Sequence, residues 1–124
     1  MIKVGNIVSF AFHFSSGANC DKPRPCVVLS VSGDNVVVAP IKSVCDPTHG
    51  IKLNPIDGMN SCRYSGKSIS DSWVKLVDLL SVSQLHSGFW AVDRKIQIIG
   101  SISRETHSRI GTFLNAKRPR INSI

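Results

Sequence analysis

Arg24 stands between two prolines in Lys22-Pro23-Arg24-Pro25-Cys26, directly ahead of an apolar run. Proline fixes φ and stiffens the approach, and a guanidinium presents a planar fork of donors that matches a phosphate. The competing reading is an exposed rim arginine with no partner. Lys42-Ser43 ends a second apolar run, Val36 to Ile41, where an ammonium or a hydroxyl can meet an anion or simply close a strand in solvent. His13 precedes the loop-like Ser15-Ser16-Gly17, and His49 lies in Asp46-Pro47-Thr48-His49-Gly50. An imidazole in such a place can act as a base or stack on a ring, although loop histidines often do neither. Asp78 is a further candidate base. It follows Lys75 by three residues, a spacing that sends the two to opposite faces of a regular strand, so they act together only across a bulge. Lys52, Arg63 and Lys67 could form a phosphate track or be solvated charge. Phe14, Tyr64 and Trp73 are possible stacking surfaces.

Other chemistry lacks its residues. Cys20, Cys26, Cys45 and Cys62 form no C-x-x-C pair, and no H-E-x-x-H or H-x-x-x-H accompanies them, so no metal is expected. G-x-G-x-x-G, the P-loop and G-x-S-x-G are absent, which removes nucleotide cofactors and α/β-hydrolase chemistry. No cofactor is expected. The apolar stretch of the first residues is interrupted and reads poorly as a secretory signal, so reduced thiols and a cytoplasmic location are expected. Cys26, inside an apolar run, reads as core.

These residues must be positioned by a small fold. The chain has 124 residues, 42% hydrophobic and 19% charged, enough for one domain. Its formal net charge is +7. Residues 1–100 hold ten basic and seven acidic side chains, and residues 101–124 hold five and one. Such a balance suits nucleic acid, an acidic protein or a membrane surface. No apolar run approaches the roughly 18–20 residues of a membrane span, and no membrane partner is expected.

Short apolar runs between turn residues predict a mainly β or α+β domain. Val4 to Phe14 reads as a strand with a break near Gly5-Asn6. Cys26–Val31 and Val36–Ile41 form a hairpin around Ser32-Gly33-Asp34-Asn35, with both strands buried on two faces, as in a small closed barrel. Ile51–Leu53, Trp73–Leu80 and Lys95–Ser101 read as further strands, with residues 82–90 ambiguous. Ser103 is a helix N-cap, and Ile110, Phe113 and Leu114 share a face of a helix of about 12 residues that ends before Pro119. Gly111 within it suggests a close packing contact. The expectation is one domain over 1–116 and a basic, mobile tail over 117–124.

Three stretches, in order, resemble the MazF/PemK/Kid family of toxin endoribonucleases. They are Gly5-Asn6-Ile7-Val8, then Lys22-Pro23-Arg24-Pro25-Cys26-Val27-Val28-Leu29-Ser30 with Val36-Val37-Val38-Ala39-Pro40-Ile41, and finally Val74 to Val82 with Ile99-Gly100-Ser101-Ile102-Ser103. The resemblance spans about 1–115. It implies an SH3-like small β-barrel with a C-terminal α-helix, a homodimer, and metal-independent cleavage of single-stranded RNA. It also implies neutralisation by a small acidic antitoxin protein, with which such toxins bind DNA. Attack of a 2′-hydroxyl on its neighbouring phosphate needs a base, an acid for the departing 5′-oxygen, and cationic donors for the phosphorane.

On this resemblance Arg24 occupies the position of the family's catalytic arginine, for charge stabilisation and proton donation. The family's threonine falls at Lys42, with Ser43 next, so either a shifted hydroxyl or a point charge stands there. Some members carry an Arg–Asp pair where this chain has Lys75 and Asp78. His13, His49, Arg63 and Lys67 are the RNA-binding candidates. The C-terminal helix and the 73–80 strand are the expected dimer faces. Two alternatives do no chemistry: an SH3-like binding module, or a gyrase poison of the CcdB type. The latter acts through a Trp-containing helix end, whereas this chain ends Arg120-Ile121-Asn122-Ser123-Ile124.

Overall fold

A computed structural model describes residues 2–11, 23–54, 57–59 and 72–123. The strands are β1 (Asn6–Phe10), β2 (Arg24–Ser32), β3 (Asn35–Lys42), β4 (Gly50–Lys52), β5 (Gly58–Met59), β6 (Trp73–Lys75), β7 (Leu79–Ser83), β8 (Ala91–Val92), β9 (Lys95–Ile96) and β10 (Ile98–Ser101). One helix, α1 (Arg104–Lys117), precedes β11 (Ile121–Ser123). The fold is a mainly β, largely antiparallel sheet with one C-terminal helix. Its strand path runs β11-β7-β3-β2-β1-β10-β5, with β6 pairing to β3 and β4 off that path.

The β2–β3 hairpin is the centre, and it is the element that the sequence marks best. Two β-branched runs meet at a tight turn in which Gly33 takes φ +58, a left-handed conformation that glycine adopts without steric cost. Cys26, Val27 and Val28 pair with Pro40, Ala39 and Val38, and a register shift between Val28 and Ser30 inserts Leu29 as a bulge.

Val36–Ile41 and Cys26–Val28 are buried on two faces, as expected, whereas Ser30, Val31 and Ser32 are exposed, and no barrel closes among the described residues. The described strand path is open, and a separate apolar layer covers each face. On one side Ile7, Val27, Ala39, Ile41, Ile51, Val74 and Ile99 pack with Ile110 and Phe113 of α1. On the other, Val8, Phe10, Cys26, Val28, Val36, Val38, Leu80 and Val82 pack with Ile2 and Phe89. Each fully buried aliphatic side chain contributes about 1.5–3 kcal/mol. Two-faced burial is thus satisfied by layering.

The expected Trp73–Leu80 strand is two strands. Trp73 and Val74 pair with Lys42 and Ile41, whereas Leu80 and Val82 pair with Val38 and Val36, a register shift of three residues. The extra residues leave the sheet as a turn at Leu76–Asp78. Pro40, which has no N–H to give a ladder, lies in the gap where β3 changes partner. Both edges of the 73–83 segment are therefore used: β6 lies between β3 and β4, and β7 between β3 and β11.

Helix α1 begins as the sequence implies. The Ser103 hydroxyl accepts from the Thr106 N–H at 3.2 Å, a satisfied N-cap. A buried carboxylate reinforces it: Asp57 accepts from the Ser103 N–H, from Thr106 Oγ1 at 2.6 Å and from the Asn54 N–H at 2.7 Å. The helix ends at Arg118, in a left-handed conformation with its N–H donating to the Leu114 carbonyl. Gly111 makes no close contact: a Cβ added there meets nothing within 4 Å. Beyond Pro119 the expected mobile tail returns to the sheet, where Ile121, Asn122 and Ser123 pair in parallel with Leu79, Leu80 and Ser81.

Candidate nucleic-acid interface

Arg24 is exposed at the first residue of β2, opposite Phe10 of β1. Continuing the Cys26–Pro40 register by two residues sets it across from Lys42, the last residue of β3. Lys42 pairs with Trp73, and Trp73 pairs with Lys52. Residues opposite one another in a ladder project to the same face. One line across four neighbouring strands therefore carries Arg24, Lys42, Trp73 and Lys52. Alternation puts them on the face of Cys26 and Phe10, opposite to α1. Arg24 and Lys52 are exposed, and Lys42 and Trp73 half-buried.

This register separates the two sequence candidates at the end of β3. Lys42 is in line with Arg24, whereas Ser43 lies past the strand in an exposed bend. Asp78 does meet Lys75, because the three-residue excursion supplies the bulge that a regular strand lacks. Lys75 Nζ and Asp78 Oδ2 are 2.8 Å apart, both partly shielded from solvent. The carboxylate is thus engaged by a cation next to Trp73 along β6.

His49 and Asp46 form a second pair, exposed and at the start of β4. Asp46 Oδ1 and Oδ2 lie 3.0 and 2.9 Å from His49 Nδ1, and Oδ1 accepts from the Thr48 N–H at 2.9 Å. The side-chain hydrogen bond with His49 holds the Asp46 carboxyl below the ordinary carboxylate range. The His49 carbonyl accepts from Leu76 N at 2.8 Å, which ties this loop to the β6–β7 turn. His49 is three strands away from Arg24 in the order β2-β3-β6-β4. His13, Arg63 and Lys67, with Phe14 and Tyr64, lie outside the described residues.

Among the described residues no group of three or more His, Cys, Asp or Glu side chains could hold a metal ion, and no helix is long and apolar enough to cross a membrane. Cys26 is buried, and burial pushes its thiol well above the ordinary range. A thiol held protonated is a poor nucleophile. In the native protein at pH 8, iodoacetamide is expected to leave Cys26 unmodified while alkylating half-exposed Cys45. Peptide mapping by mass spectrometry checks this, and comparable labelling of Cys26 would show that the apolar layer opposite α1 opens readily.

Sequence reasoning did not align Lys52 and Trp73 with Arg24, because their pairing joins segments that nothing local marks as neighbours. It also missed Asp57, one acidic residue in a turn-rich stretch whose helix partners, Ser103 and Thr106, stand 46 and 49 residues later. No family model matches this chain, and no curated protein matches it.

Proposed function

We propose that this chain is the toxin of a type II toxin–antitoxin pair, a metal-independent endoribonuclease of the MazF/PemK/Kid kind that cleaves single-stranded RNA. The observation that carries the reading is the Cys26–Pro40 register, which, carried on by two residues, sets Arg24 across from Lys42 on one sheet face. Two cations on adjacent strands, about 4.8 Å apart, suit one phosphodiester. In this reading the Arg24 guanidinium spreads the growing charge of the phosphorane across its donor fork, and Lys42 holds a non-bridging oxygen as a point charge. His49, its Nδ1 engaged by Asp46, retains Nε2 for substrate. The same reading takes the antiparallel strands β1, β2, β3 and β7 as one wall of an SH3-like barrel that the described residues leave open, with α1 as its terminal helix.

Purified protein, freed of any bound partner, is expected to cleave mixed-sequence single-stranded RNA in EDTA and to leave 5′-hydroxyl ends. RNA left intact across many sequences defeats the enzymatic reading. A second reading has its own support: Lys42 rather than a hydroxyl is in line with Arg24. On that reading the face binds nucleic acid without cutting it, and tight binding of uncut RNA would distinguish it.

The partners follow from the same proposal: RNA, a small acidic antitoxin protein and a second copy of the chain. A groove of about 290 Å³ lined by Leu29, Val37, Leu79, Leu114, Pro119 and Ile121 lies beside the end of α1. It is the apolar face offered for a two-fold contact. Light scattering is expected to give twice the 13.5 kDa chain mass, reverting to one on Leu114→Glu. A monomeric parent protein would refute the dimer.

A further inference from the structure

We propose that Trp73 is a stacking platform for a base of single-stranded nucleic acid, whose backbone crosses the strands along the line Arg24, Lys42, Trp73, Lys52. The inference rests on nucleic acid occupying the Arg24 face, but it does not require cleavage. Trp73 stands between two lysines, each one strand away, through the Lys42–Trp73 and Trp73–Lys52 pairs. Neighbouring strands are about 4.8 Å apart, so both ammonium groups can reach backbone phosphates while a base lies on the indole. Aromatic surface flanked by cations is the combination that binds single strands.

The platform is braced from behind. Ile41, Ile51 and Val74, which alternate with this line, are buried in the core beneath α1. The β4–β6 pair is packed so closely at Gly50 that an added Cβ would lie 2.2 Å from the Val74 carbonyl oxygen. Arg109 Nη1 donates to the Lys52 carbonyl at 2.9 Å and ties β4 to the helix. Little ordering of the strands is left to occur on binding, which lowers its entropic cost. The indole also selects the class of ligand. In a duplex both faces of each base are already stacked, so a Trp platform rewards a strand whose bases are free. An acidic peptide would satisfy the lysines but gain nothing comparable from the ring.

The probe is a 2′-O-methyl oligouridylate of about ten nucleotides, within the span that one small domain covers. It lacks the free 2′-hydroxyl that cleavage needs. Binding is expected to quench tryptophan emission. Trp73→Ala is expected to remove most of that quench and weaken binding roughly 5- to 150-fold, whereas Trp73→Phe retains much of the affinity. Lys52→Ala should lower the slope of log K against log salt by about one. A matching thermal melt for Trp73→Phe shows that the fold survives. Trp90, partly buried against the apolar layer beneath α1, is the internal control. Undiminished binding and quench in Trp73→Ala, or no binding of the probe to the parent protein, overturns the proposal. Probe binding through Trp73 with natural RNA left uncut sustains this inference and defeats the nuclease. Cleavage that is indifferent to Trp73→Ala does the reverse.

Discussion

On the proposed nuclease reading, Arg24→Ala is expected to cleave single-stranded RNA about 10²–10³-fold more slowly than the parent protein, the usual cost of removing one preorganised donor to a developing oxyanion. The side chain is exposed at the start of β2, so its loss opens no cavity, and a melting curve measured beside the rate separates lost chemistry from lost fold. Arg24→Lys should recover only part of the rate, because an ammonium keeps the charge but not the planar fork. The same order should appear in cells, with growth arrest on induction of the parent protein and relief in Arg24→Ala. An alanine variant that cuts as fast as the parent protein removes Arg24 from the chemistry. A variant that loses activity together with its melting transition would make the residue structural.

Asp57→Ala is expected to cost about 3–4 kcal/mol of folding stability, because it leaves one buried and two partly buried donors without their acceptor. Asp57 is only 4% exposed, and it joins three backbone or hydroxyl donors from two distant segments: Asn54 N, Ser103 N and Thr106 Oγ1. The carboxylate therefore pins the start of α1 to the loop after β4. Glu105 and Arg109 of the helix reach the same segment, through Asn54 Nδ2 at 3.1 Å and the Lys52 carbonyl at 2.9 Å. Asp57→Asn keeps one acceptor oxygen and should lose about half as much. Urea unfolding followed by circular dichroism measures both. If neither variant shifts the midpoint, the helix is anchored by its apolar face alone.

The parts that the sequence made legible are those written in local chemistry. The β2–β3 hairpin follows from two β-branched runs around a glycine turn, and α1 follows from a serine cap, a helical spacing of Ile110 and Phe113, and a proline that stops it. Two-faced burial was equally legible in Cys26–Val28 and Val36–Ile41, though not in Val31, which is exposed, but a closed barrel and a sheet covered by two layers bury the same residues. Composition along a strand cannot distinguish them. The break at Leu76–Asp78 was hidden for a related reason: the apolar positions on either side remain in phase with a strand, and only the partner shows that the register has jumped. The tail gave the wrong impression because its charge was read without the edge of β7 that receives it.

The candidate site divides in the same way. Residue type and flanking prolines singled out Arg24, and those are properties of a few neighbouring positions. Which groups stand in line with it depends on hydrogen-bond register between strands far apart in the chain, and a slip of one residue would turn every side chain to the other face. The order of amino acids determined a hairpin, a capped helix and a guanidinium with a stiff approach. Tertiary pairing alone decided that Lys42, Trp73 and Lys52 lie across from it, because cross-strand neighbours are chosen by the packing of both apolar layers at once.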